Sequence, residues 1–280
     1  MRVQEVLPFP VLLCGPGSLI AVILFPGVVI LVLGHVPIVT SAERIRYQGG
    51  LVLYWFFVKL LGPLARTWFG PTVEGAGNIP KDGAVIIASN HLAVIDDALL
   101  PITCPRMIHF MGKAEYFNGK GFKGRFKKWW FSSVGVFPVD RSGGSKSLGA
   151  METARSILEH GHVFGIHPEG TRSPDGRLYR GHTGVARLAF ETGTTVVPAA
   201  IIGTRELQEP GRVLPHRGRT KVIFGKPIPV PYTPVNSLTH EEVRNLTDRI
   251  MQEIQEMSGQ RYVDVYAQVV KAHQAKKELD

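Results

Sequence analysis

The apolar run Ala84-Val85-Ile86-Ile87-Ala88 leads into Ser89-Asn90-His91, and after four residues come Asp96 and Asp97. His91 and Asp96 are residue types that together can move a proton. A carboxylate bonded to one imidazole nitrogen fixes the tautomer and leaves the other nitrogen as a base. With an ordinary histidine pKa of about 6.5, that base is neutral near physiological pH. The spacing sets a condition, because on a continuous helix five residues place two side chains about 140° apart. The pair meets only if a loop or turn leads into a helix between them. A plainer reading stays open at this point, in which Asp96 or Asp97 caps the next helix and His91 is a polar loop residue.

A strand that ends in a loop is where open α/β sheets place their ligands, and the surrounding chain reads as such a sheet. Short β-rich runs recur at Ala84–Ala88, Met107–Met111, Val134–Val139, His162–Ile166, Thr195–Ile201 and Lys221–Phe224. Helical stretches at Ser147–His160 and Gly184–Thr192 alternate with them, and Thr239–Met257 opens on a Thr239/Glu242 capping sequence. The pattern predicts an α/β domain, a mixed, mostly parallel sheet with flanking helices. Two cysteines, Cys14 and Cys104, lie in no metal spacing and no CxxC, so both read as small apolar residues of a reducing compartment. His160 and His162 alternate at a strand start without further ligands, and no metal is expected.

The N-terminal third has a different character. No Asp, Glu, Lys or Arg occurs between Glu5 and Glu43. A bilayer-crossing helix needs about 20 apolar residues, and Leu19–Val39 predicts such a helix, kinked or re-entrant at Pro26, Gly27, Gly34 and Pro37. A second stretch, Leu51–Phe69, is rich in aromatics and carries Lys59 and Arg66, which predicts an interfacial segment. A cleaved signal peptide fits less well, because the tract is longer than the usual apolar region and Thr40-Ser41-Ala42 is a weak cleavage site. The expected division is a membrane-associated helical segment over residues 1–70 and a catalytic domain over 71–280. Arg44, Arg46, Lys59 and Arg66 follow the first apolar stretch against one Arg2 before it, which predicts a catalytic domain on the cytoplasmic face of the cell membrane. The net charge of +9 asks for an anionic partner. Basic and aromatic residues mix at Lys120–Trp130. This stretch can be read as nucleic-acid binding, as a solvated surface helix, or as an anionic-membrane contact, and the last fits best beside an apolar anchor. No nucleic-acid partner is expected.

Four ordered blocks resemble the 1-acylglycerol-3-phosphate acyltransferase family of the glycerolipid acyltransferase superfamily. They are Asn90-His91 with Asp96, Gly135–Arg141, Pro168-Glu169-Gly170-Thr171-Arg172-Ser173, and Val197-Pro198-Ala199-Ala200. The likeness spans about Val73–Pro229, and the third block is its most specific part. His167 departs from it, because the family usually carries an aromatic or other apolar residue before the proline.

The resemblance implies direct acyl transfer from acyl-CoA or acyl carrier protein to lysophosphatidic acid, with no further cofactor. His91 would take the hydroxyl proton and Asp96 would orient the ring. The lysolipid phosphate would lie on Thr171 and Arg172, with Gly170 allowing close backbone approach and Glu169 holding the loop or Arg172. Arg141 and Lys113 are further candidate cations. The same chemistry could serve glycerol 3-phosphate, another lysophospholipid or a glycolipid. A lipid hydrolase is a weaker reading, because no Gly-x-Ser-x-Gly elbow is present. A non-catalytic membrane or nucleic-acid binding protein is the remaining alternative.

Overall fold

A computed structural model of the chain describes residues 11–13, 18–25, 28–35, 58–59, 62–113, 121, 136–139, 145–212 and 214–277. Its first elements, β1 (Val11–Leu13), β2 (Ser18–Phe25) and β3 (Val28–His35), pair antiparallel in that order. This corrects the helix expected over Leu19–Val39. The reason is local. Ile20, Val22, Ile23, Val28, Val29, Ile30 and Val32 are β-branched, which disfavours helix and favours a pleated strand. Pro26 and Gly27 punctuate the run between the paired residues Phe25 and Val28. No described helix is long and apolar enough to cross a membrane.

The expected interfacial stretch contributes α1 (Gly62–Phe69), which is docked on the rest of the protein. Arg66 donates to the Ile102 carbonyl, the Trp68 indole N–H to the Pro215 carbonyl at 3.4 Å, and the Gly218 N–H to the Trp68 carbonyl at 3.1 Å.

Seven strands follow: β4 (Pro71–Glu74), β5 (Val85–Ser89), β6 (Ile108–Lys113), β7 (Val136–Val139), β8 (Val163–Ile166), β10 (Thr195–Ile202) and β11 (Thr220–Phe224). They form one sheet in the order β4-β11-β10-β5-β8-β6-β7. Every neighbouring pair is parallel except β10 with β11, so the sheet is mixed and mostly parallel, as the sequence predicts. Its central strand, β5, is buried throughout, and its side chains alternate between two cores. Ile86 and Ala88 face α3 (Ser145–Glu159), α4 (Gly184–Thr192) and α6 (His240–Ser258). Val85 and Ile87 face Leu99, Leu100 and Ile102 of α2 (Asp96–Thr103). Burial on both faces is why β5 reads as a continuous apolar run, and each such aliphatic side chain contributes about 1.5–3 kcal/mol.

The C-terminal third then returns to the loop that follows β8. After α5 (Thr204–Leu207), α6 starts on a closed capping box between Thr239 and Glu242, as the sequence predicts, and stops at Gly259 with φ 68°. Its stripe of Val243, Leu246, Ile250, Met251 and Ile254 fills the first core. Beyond it, β12 (Tyr262–Val263) pairs in parallel with β9 (Leu178–Tyr179). That short pairing sets α7 (Ala267–Lys277) over residues 169–171.

Candidate active site

His91 stands just past the end of β5, and Asp96 is the first residue of α2. The four residues between them form the turn that the spacing requires. Asp96 folds it by turning one carboxylate oxygen backwards. Oδ2 accepts the Leu92 N–H at 2.6 Å, the Ala93 N–H at 2.8 Å and the His91 Nδ1–H at 3.0 Å. The carboxylate therefore serves its own preceding turn and does not cap the helix it opens. A carboxylate can only accept here, so His91 carries its proton on Nδ1 and presents Nε2 as the basic nitrogen. Nε2 has no hydrogen-bond partner among the described residues. Asp96 is fully buried and His91 keeps 14% of its side-chain surface. Burial first, and the neighbouring His167 second, push the His91 pKa below its ordinary value, while Asp96 and Asp97 pull it up. Asn90 fixes the turn from the other side: its amide exchanges two 2.8 Å hydrogen bonds with the Ile201 main chain on β10.

Residues 169–173 are tied to this turn at both ends. The His91 N–H donates to Glu169 Oε1 at 3.1 Å, and the Ser173 N–H donates to the His91 carbonyl at 2.7 Å. Thr171 and Arg172 lie between those two anchors. Glu169 is fully buried, and its Oε2 accepts the Tyr179 N–H at 2.9 Å. Of the two tasks predicted for Glu169, it holds the loop; among the described residues no ion pair joins it to Arg172. Burial pushes its carboxyl up to about 7, against the pull of the two backbone N–H donors. Gly170 has φ +71°, and a Cβ there would meet Gln268 Nε2 at 2.8 Å and His182 Cδ2 at 3.1 Å. Arg172 is exposed. Lys113 ends β6, paired with Val139 of β7 at the same edge of the sheet; Arg141 lies outside the described residues.

Two groups, one at His91 and one at Thr171, were not legible as partners. The first is His167, whose ring stacks on that of His91, with centroids 4.0 Å apart and planes 8° from parallel. The sequence marks it only as a departure from the family pattern. The second is Lys271 on α7, whose Nζ donates to Thr171 Oγ1 at 2.8 Å. Nothing in its sequence neighbourhood signals a site. Its placement depends on the two-residue pairing of β9 with β12, which carries no periodicity to read.

One ligand atom each from His91, Asp97 and His167 lies within 4.8 Å of the others. Those atoms do not form a convergent metal cage. Parallel rings aim their lone pairs side by side, His91 Nδ1 is spent on Asp96, and His167 uses Nδ1 on Ser89 and Asn90 and Nε2 on Asp97. The arrangement instead offers a neutral imidazole base at the C-terminal end of β5 in a mostly parallel sheet, with hydroxyl, guanidinium and ammonium donors on the adjoining loop and helix.

Comparison with known proteins agrees with that chemistry. An acyltransferase family model matches residues 70–202. The 1-acyl-sn-glycerol-3-phosphate acyltransferase of Bacillus subtilis is 32% identical over 178 residues, covering 63% of this chain and 82% of its own. The chloroplastic 1-acyl-sn-glycerol-3-phosphate acyltransferase LPAT1 of Arabidopsis thaliana is 28% identical over 205 residues, covering 72% of this chain, which spans 54% of the plant protein. The crystal structure of the 1-acyl-sn-glycerophosphate acyltransferase PlsC from Thermotoga maritima is similar with a TM-score of 0.56 at 25% identity, over 78% of this chain and 83% of that one. On its sequence and its fold, the chain belongs to the 1-acyl-sn-glycerol-3-phosphate acyltransferase family.

Proposed function

We infer that the protein transfers a fatty acyl group from an acyl thioester to the free hydroxyl of lysophosphatidic acid, giving phosphatidic acid. The observation that carries this reading is the His91–Asp96 pair, tied through the His91 main chain to the loop that bears Thr171 and Arg172. His91 Nε2 takes the proton of the acceptor hydroxyl as that oxygen attacks the thioester carbonyl. Asp96 stabilises the imidazolium that forms. The tetrahedral intermediate collapses by breaking the carbon–sulfur bond, and the departing thiolate receives the proton from His91. No covalent acyl-enzyme is needed. Base catalysis of this kind supplies about 10²–10⁴ in rate, and positioning of the two substrates supplies more.

Thr171, Arg172 and Lys271 bind the acceptor phosphate. A guanidinium matches two phosphate oxygens in a fork, and an ammonium adds a point charge. Arg141, two residues after β7 in the sequence, and Lys113, the last residue of β6, are further cations for phosphate or for the thioester donor, acyl-CoA or acyl carrier protein. The substrate is a lipid, and the protein works at an anionic membrane surface. The uncharged stretch between Glu5 and Glu43 and the exposed Leu64, Trp68 and Leu214 beside α1 support that location. Residues 1–70 would serve as the membrane-associated segment and 71–280 as the catalytic domain, and the positive charges that follow the apolar stretch favour the cytoplasmic leaflet.

The test is purified protein in vesicles given a labelled acyl thioester with and without lysophosphatidic acid. Labelled phosphatidic acid should form only with the acceptor, and His91→Ala should abolish it with the fold intact. Fatty acid release without an acceptor would make the protein a hydrolase, and faster turnover of glycerol 3-phosphate or another lysophospholipid would change the acceptor.

A further inference from the structure

Both ring nitrogens of His167 are within hydrogen-bond distance of oxygens. Its Nδ1 faces the Ser89 carbonyl at 3.2 Å, the Asn90 carbonyl at 3.1 Å and the Ser89 hydroxyl at 3.0 Å. Its Nε2 faces the Asp97 carboxylate at 3.3 Å. The two carbonyls and the carboxylate cannot donate, so they favour a proton on each nitrogen, while the Ser89 hydroxyl can either donate to Nδ1 or accept from it. The Asp97 ion pair and the two carbonyls together favour the imidazolium. Its flat face lies on His91, and the Phe110 ring lies 6.0 Å away at 18° to it. Among the described residues, the charged and titratable groups around the stack are Asp96 and Asp97 from α2 and Glu169 from the loop after β8. Asp96 Oδ2 is bonded to His91 and its own turn while its buried Oδ1 has no hydrogen-bond partner among the described residues, and Glu169 is bonded to two backbone N–H groups. Asp97 is the carboxylate paired with His167.

We propose that His167 is a positioning residue for acyl transfer, a ring that stacks on His91, is held as an imidazolium by Asp97, and keeps the catalytic imidazole unprotonated on the acidic side of neutrality. A fixed positive charge one ring-stack away opposes a second one on His91. The directions of titration agree. Burial pulls the His167 pKa down, but the hydrogen bond and charge of Asp97 outweigh it and the value stands above ordinary, whereas that of His91 stands below. A flat apolar ring would stack equally well and would carry no charge, so stacking and charge can be separated by substitution. The proposal rests on His91 being the base.

The experiment is the pH profile of kcat/KM for the wild type, His167→Phe and His167→Gln in vesicles, each normalised to its own rate near pH 8. Removing the cation lets His91 protonate at higher pH. At about pH 5.5 both variants should retain less of their alkaline rate than the wild type does, by about fivefold or more, the effect of one unit charge at this range in water, which burial strengthens. Superimposable normalised profiles would overturn the charge role while leaving His91 as the base; turnover that survives His91→Ala would overturn the base itself, and with it the proposal. Nitrogen-15 histidine spectra of the wild-type enzyme need no variant to fold. One ring, lost in His167→Phe, should be mainly doubly protonated at about pH 7, and a neutral His167 there would overturn the proposal.

Discussion

Glu169 and His91 are joined through the main chain of the histidine: the His91 N–H donates to Glu169 Oε1 at 3.1 Å, while the other oxygen accepts the Tyr179 N–H at 2.9 Å. One buried carboxylate thus fixes the base, its own loop and β9 together. Glu169→Gln keeps the shape but turns an NH₂ group toward one of two N–H donors. Leaving one of these unsatisfied costs about 1–3 kcal/mol. We expect a lower Tm, and a kcat reduced about tenfold or more as His91 loses its anchor. A variant with wild-type melting and turnover would mean that neither N–H depends on the carboxylate.

The same residue makes stability depend on pH. Its folded pKa is raised from 4.5 to about 7. Between those values the unfolded chain releases the proton while the folded chain holds it. Rising pH therefore costs stability across that window, by at most about 3 kcal/mol. Glu169→Gln has no such group. Melting curves at about pH 5 and pH 8 should show the wild type losing more stability than the variant over that interval, and equal losses would contradict the raised pKa.

The parts legible in the sequence were those written in local periodicity or in chemistry close along the chain. The apolar run of β5, the Thr239/Glu242 box and the His91–Asp96 spacing are of that kind. The N-terminal stretch misled because a long apolar β-branched run fits a membrane helix by length and a strand by propensity, and Pro26-Gly27 punctuates both. His167 was visible as an odd residue, but its stacking on His91 depends on β5 and β8 being neighbours in register, Ala88 beside Ile166. Lys271 was invisible. It is 100 residues from Thr171, and two strands of two residues each carry it there.

Asp96 allows charge to be separated from architecture. Asp96→Asn can keep an oxygen toward the Leu92, Ala93 and His91 donors, so the turn survives while the negative charge is lost. We expect kcat to fall about 10–100-fold through poorer stabilisation of the imidazolium. Because Asp96 raises the His91 pKa, its loss should move the acid limb of the pH profile down, opposite to the His167 variants. Asp96→Ala removes all three acceptor contacts, so its melting temperature should drop where that of Asp96→Asn holds. Equal melting temperatures would show that the turn does not depend on Oδ2.

Arg172 and Lys271 should act on the acceptor alone. Arg172→Ala and Lys271→Ala each delete a charged hydrogen bond to phosphate, worth about 1.5–3 kcal/mol, so the acceptor KM should rise about tenfold or more with the thioester KM unchanged. An equal rise in both constants for either variant would place that residue on the donor side. An acceptor KM untouched by Arg172→Ala would remove the guanidinium from the phosphate site.

Gly170 tests whether α7 belongs to the site. At φ +71° any other residue is strained, typically by about 1–3 kcal/mol. An added methyl would also lie 2.8 Å from Gln268 Nε2 and 3.1 Å from the His182 ring. The Gln268 amide can swing away, but it then loses its 3.1 Å bond to His182. Displacing Gln268 loosens α7, which carries Lys271 one turn further along. Gly170→Ala should therefore raise the acceptor KM as Lys271→Ala does, and the double variant should be less than additive, because the second change removes a group already displaced. Strict additivity in a mutant cycle on the acceptor KM would mean that the glycine serves only its own loop, with no mechanical link to the ammonium on α7.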